Sequence, residues 1–117
     1  MDKKNKTVAI VDDDPGMLRG IARLLGAHGF GTRVFASAEA FLDDAKAKTA
    51  VCLVLDIDLG GISGIELRRK LTASGSRLPV IFITALDDAT TQQEAIAAGC
   101  VAFGAKQLVG AVTSATG

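Results

Sequence analysis

The chain has 117 residues, the length of one domain, and its thirteen basic and thirteen acidic residues leave no net charge. That balance supplies no broad basic surface for nucleic acid, and no apolar run approaches the ~18 residues of a membrane span. Two cysteines and one histidine make neither a disulfide framework nor a zinc constellation. Hydrophobic residues make up 49% of the chain with no Trp and no Tyr, so aliphatic side chains supply the packing. The opening Met1–Lys6 is charged and leads into an apolar run too short for a signal peptide. The expectation is a soluble, cytoplasmic domain.

Thr7–Val11 is a continuous apolar run that stops at Asp12-Asp13-Asp14, the pattern of a strand covered on both faces. Pro15 at a first helical position, with Asp14 as its N-cap, opens a helix carrying Met17, Leu18, Ile21, Leu24 and Leu25. Gly29 stops it, and His28 lies where a cation suits the helix dipole. Gly31–Phe35 alternates and reads as a second strand, at an edge. Ser37 caps a helix with Ala38, Phe41, Leu42 and Ala45 on one face and Asp43, Asp44, Lys46 and Lys48 on the wet side.

Val51–Asp56 is the run around which the chain is organised: five apolar residues ending in a carboxylate. A Gly-rich loop, Gly60-Gly61-Ile62-Ser63-Gly64, precedes a helix over Ile65–Ala73 with Leu67 and Leu71 facing in, closed by Gly75. Pro79 opens a fourth buried run, Val80–Thr84. Asp87 or Asp88 caps a fourth helix to Ala98, Val101–Ala105 makes a short fifth strand, and Lys106 follows it. A fifth helix holds Leu108, Val109 and Val112 and ends early, in the polar Thr113–Gly117. Strands alternating with helices predict a doubly wound α/β fold with a parallel sheet, and right-handed crossovers put every strand's carboxyl end on one rim.

That rim is where ligands bind in open parallel sheets. It gathers Asp12 and Asp13 from the first strand, Asp56 from the third, Thr84 from the fourth and Lys106 from the fifth. Crowded carboxylates need a counter-charge, and a few oxygen ligands with room for water suit Mg²⁺. A hydroxyl and an ammonium beside them suit the oxygens of a phosphoryl group on Asp56, since a carboxylate is a competent nucleophile for phosphoryl transfer. Acids after strands are also simply helix caps, the reading given to Asp14. The joint pattern, rather than any single residue, carries the functional reading.

The segments Ile10–Pro15, Val54–Leu67, Ile83–Ala85 and Gly99–Lys106 together resemble the receiver domain of a two-component response regulator, over essentially residues 1–117. The resemblance implies a flavodoxin-like (βα)5 fold, a five-stranded sheet in the order 2-1-3-4-5. It implies that Asp56 accepts phosphate from a histidine kinase or phosphotransfer protein, and that Asp12, Asp13, Asp56 and the backbone carbonyl of Asp58 hold Mg²⁺. Thr84 and Lys106 then bond the phosphoryl oxygens, and Phe103 occupies the position of the switch aromatic. Output to a further domain, a partner or a second copy runs through the fourth helix, fifth strand and fifth helix, beside the moving residues. Gly60 and Gln107 stand where receivers usually carry proline. Receivers of this kind often precede a helix-turn-helix domain; these residues hold none, and no direct nucleic-acid contact is expected of them. The domain is read as a phosphoacceptor that assists its own phosphorylation and dephosphorylation, not as an enzyme. Two alternatives stand beside it: a degenerate receiver acting as a binding module, and a phosphatase using Asp56-Ile57-Asp58 as a DxD motif.

Overall fold

The computed structural model describes residues 6–44, 49–56, 64–75, 78–83 and 105–116, with backbone alone at 64, 65 and 105–107. The described elements run β1 (Thr7–Val11), α1 (Pro15–Ala27), β2 (Gly31–Phe35), α2 (Ala38–Asp43), β3 (Cys52–Asp56), α3 (Gly64–Ala73), β4 (Val80–Ile83) and α4 (Ala105–Thr116). The last of these is the fifth helix of the sequence reading. The strands form one parallel sheet in the order β2-β1-β3-β4. The expected fourth helix to Ala98 and, but for Ala105, the expected fifth strand Val101–Ala105 lie outside the described residues.

The uninterrupted apolar runs are explained by cover on both sheet faces. Even-numbered residues of β1 and β3, Val8, Ile10, Cys52 and Val54, join Ile81 and Ile83 of β4 in a core beneath α1 and α4. Their neighbours Ala9, Val11, Leu53 and Leu55 join Phe82 in a second core with Phe41 of α2 and Leu67 and Leu71 of α3. Phe35 meets Phe41 edge to face, with ring centroids 5.6 Å apart, and so seats α2 on the sheet. Cys52 is fully buried, and burial pushes its thiol up to about 12, so it packs as a small apolar residue.

The helix ends follow the local chemistry of the sequence. Asp14 has extended backbone and its side chain accepts from the Gly16 N–H, with Pro15 opening α1. At the other end Gly29 takes φ 91°, the Gly29 N–H donates to the Gly26 carbonyl and the Phe30 N–H to Leu25. His28 is exposed, and its Nδ1 donates to the Leu24 carbonyl at 3.0 Å. Ser37 caps α2 through the Ala40 N–H, and Gly75 at φ 85° closes α3.

Three details differ from the sequence reading. Strand β2 does not alternate cleanly: Arg33 and Val34 are both exposed, Val34 by 48%. It is the edge strand, so Val34 lies beside Ile10 in register but beyond the cover of the helices. Arg33 instead pairs with Asp44 at 3.0 Å, an exposed contact worth little stability. Ala105 belongs to a helix, not a strand, which puts the Lys106 backbone in the first turn of α4. That helix also continues through Thr113–Thr116 rather than ending early. Its last turn is held by the Thr116 hydroxyl donating to the Val112 carbonyl and by Lys6 Nζ reaching the Thr116 carbonyl at 2.6 Å. A cation from the far end of the sequence thus satisfies a terminal carbonyl and faces the negative end of the helix dipole.

Leu25 is fully buried between α1 and the sheet, so Leu25→Ala is expected to lower unfolding stability by about 2–5 kcal/mol, read from chemical denaturation followed by circular dichroism.

Candidate functional site

Two adjacent strands set the site. The Val11–Leu55 pair is the last rung shared by β1 and β3, and the next residues along the two chains are Asp12 and Asp56. Parallel pairing therefore makes these carboxylates neighbours. The Asp12 N–H extends the ladder by donating to the Phe35 carbonyl at 3.1 Å. Asp13 follows on the turn into α1. Asp12, Asp13 and Asp56 each offer an oxygen, and these oxygens lie within 4.8 Å of one another.

The three acids differ in exposure. Asp12 is 2% exposed, Asp56 is half-buried and Asp13 is exposed. The Asp12 carboxyl is raised above the ordinary carboxylate range, first by burial, then by the charges of Asp13 and Asp14. The Asp14 N–H, donating to Asp12 Oδ1 at 2.9 Å, acts in the opposite direction, as does hydrogen bonding with Asp56. A group of oxygen ligands that is crowded, partly buried and open through Asp13 fits a hard divalent cation, which keeps several waters and takes few carboxylates.

The sequence placed Asp12, Asp13 and Asp56 together, and the structure brings them together. Thr84, Asp58, Phe103 and Gly60 lie outside the described residues. For Lys106 and Gln107 only the backbone, in the first turn of α4, is described. One contributor was missed. Asp14, expected from the sequence only as a helix cap, also holds Asp12 through its N–H. The signal was present, because an aspartate side chain commonly accepts from the N–H two residues on.

An open parallel sheet in this order, with carboxylates at the ends of its two central strands, is the architecture of a phosphoacceptor receiver domain. The family model described as "Response regulator receiver domain" matches residues 8–111, and the chain belongs to that family. Response regulator protein TmoT of Ectopseudomonas mendocina is 34% identical over 120 residues, covering 98% of this chain and 54% of TmoT. Transcriptional regulatory protein FixJ of Bradyrhizobium diazoefficiens is 34% identical over 96 residues, covering 82% of this chain and 47% of FixJ. The chain spans about half the length of these relatives. Among solved structures, FixJ-N superimposes with a TM-score of 0.79 at 34% identity, covering 95% of this chain and 93% of that one. A response regulator receiver protein from Burkholderia phymatum gives 0.77 at 36% identity, with 95% and 94% covered. These matches do not favour the degenerate-module or phosphatase alternatives. No helix among the described residues is long and apolar enough to cross a membrane.

The raised Asp12 carboxyl has a defined effect on stability. Above the ordinary value of 3.8 the unfolded chain has released this proton while the folded chain still holds it. Stability of the metal-free protein should therefore fall as pH rises from that value through the raised one. Asp12→Asn is expected to remove this part of the pH dependence, measured as melting temperature against pH in the presence of a chelator.

Proposed function

We propose that Asp56 accepts a phosphoryl group from the phosphohistidine of a sensor kinase or phosphotransfer protein, and that the resulting charge switches the domain. The observation that carries this reading is the position of Asp56. It ends a central strand, half-buried, with the oxygens of Asp12 and Asp13 beside it. An Asp56 oxygen attacks phosphorus, the P–N bond to the donor imidazole breaks, and the imidazole nitrogen keeps the electron pair and takes up a proton. Asp56 is the nucleophile, so it must be ionised, and its acidic neighbours oppose the approach of an anionic phosphoryl group.

Asp12, Asp13 and Asp56 are the side chains that would hold Mg²⁺, with the Asp58 carbonyl as a further ligand. When bound, the ion neutralises charge on the carboxylates and the transferring group. Thr84 and Lys106 complete the reading by bonding the other phosphoryl oxygens. A phosphoryl group adds roughly −1.5 to −2 of charge and three strong acceptors. Only a conformation that brings a hydroxyl and an ammonium to those acceptors gains from them, so populations shift toward it, with Phe103 following Thr84. Output passes to a further domain, a partner or a second copy through the fourth helix, fifth strand and fifth helix expected from the sequence, the last of which is α4. The domain works in the cytoplasm as a signalling module that assists its own phosphorylation and dephosphorylation rather than as an enzyme on external substrates. Family membership and the similarity to TmoT and FixJ support this.

Incubation with acetyl phosphate and Mg²⁺ is expected to add one acid-stable, base-labile phosphoryl group per chain, seen by intact mass. Asp56→Asn should abolish it, and Lys106→Ala should slow it by about 10²-fold. Continuous release of phosphate from a phosphomonoester, or no label at all, would overturn the assignment.

A further inference from the structure

The turn between β1 and α1 carries a residue whose backbone and side chain act on different groups. The Asp14 N–H donates to Asp12 Oδ1 at 2.9 Å. The Asp14 side chain accepts from the Gly16 N–H at 2.9 Å, and its carbonyl accepts from the Leu18 N–H at 3.1 Å. Leu18 is buried in the core beneath α1. Asp14 is therefore held on both sides, at its N–H by the Asp12 carboxylate and at its side chain and carbonyl by a helix anchored in the core.

We propose that Asp14 is a positioning residue for the cation site: its cap on α1 fixes the backbone N–H that holds the Asp12 carboxylate in place. This rests on the reading of Asp12, Asp13 and Asp56 as that site. With one Asp12 oxygen engaged by the N–H, the carboxylate is held in one orientation beside the oxygens of Asp13 and Asp56. Gly16 completes the device. A Cβ there would stand 3.3 Å from Asp14 Oδ1, so the oxygen that makes the cap would have to give by a few tenths of an ångström. The role of Asp14 is thus carried by its capping geometry, not by its negative charge. Because Ser and Asn also cap helices, they should replace it.

The test uses Asp14→Ala, Asp14→Ser, Asp14→Asn and Gly16→Ala, with Mg²⁺ affinity measured by calorimetry and hydrogen exchange followed at the amide of position 14. Asp14→Ala is expected to weaken Mg²⁺ binding by about tenfold and to lower protection of that amide, and Gly16→Ala to act in the same direction by a smaller factor. Asp14→Ser and Asp14→Asn should keep both close to wild type. Weakening by Ser and Asn equal to that by Ala would show a charge effect and overturn the proposal, as would wild-type affinity in all four. Should Asp14→Ala not fold, Gly16→Ala read against Asp14→Ser decides. If the wild type binds no Mg²⁺, the cation reading itself fails. Amide protection then decides the positioning claim alone: retained protection in Asp14→Ala overturns it.

Discussion

The structure turns on carboxylates forced together at the ends of two paired strands. Asp12 and Asp56 are adjacent because β1 and β3 are, and hydrogen bonding between them offsets only part of what burial and the neighbouring charges cost Asp12. Taking even one ionised carboxylate out of water costs several kcal/mol after relaxation, and a second beside it adds to that. The protein meets part of this cost with a backbone N–H from the turn into α1. Burial and neighbouring negative charge still leave the Asp12 carboxyl raised, and the grouping of Asp12, Asp13 and Asp56 is consistent with a divalent cation.

The rest of the fold keeps that hollow from relaxing. The central strands are covered on both faces, so Val8 through Val11 and Cys52 through Leu55 have no exposed side along which to slip. A register shift by one residue would exchange the two cores, placing residues that pack beneath α1 against α2 and α3 instead. The cost of that exchange holds the two carboxylates at the same level. The helices add to this from their ends: α1 through its cap and its Gly29 turn, and α4 through Lys6 at its final carbonyl. Rigid support keeps the acidic side chains of the rim close together, where two unsupported strands could let them move apart.

Much of this was legible in one dimension. The strand runs were visible because full burial on both faces demands unbroken apolar residues, and α1 because Asp14, Pro15 and Gly29 each has a local backbone reason for its place. The cluster of Asp12, Asp13 and Asp56 could be inferred because parallel strands share one rim. Less legible was whatever depends on partners distant in sequence. The final turns of α4 look too polar to persist, yet they are held by Lys6, 110 residues away. Strand β2 carries an alternating pattern, but an edge position leaves Val34 outside the helical cover.

Among the described residues the sequence alone determined most of the strand and helix assignments, Ala105 and the last turn of α4 excepted, together with the caps of α1 and α2 and the acids that stand at strand ends, since these follow from periodicity and short-range hydrogen bonding. Tertiary structure decided how deeply each acid is buried. It made Asp12 nearly inaccessible and Asp13 exposed, although the two are neighbours of identical chemistry. It also turned a helix cap into the support of a carboxylate two residues earlier. Both depend on desolvation and on the meeting of separate segments, quantities that come into existence only when the sheet has formed and the helices have packed upon it.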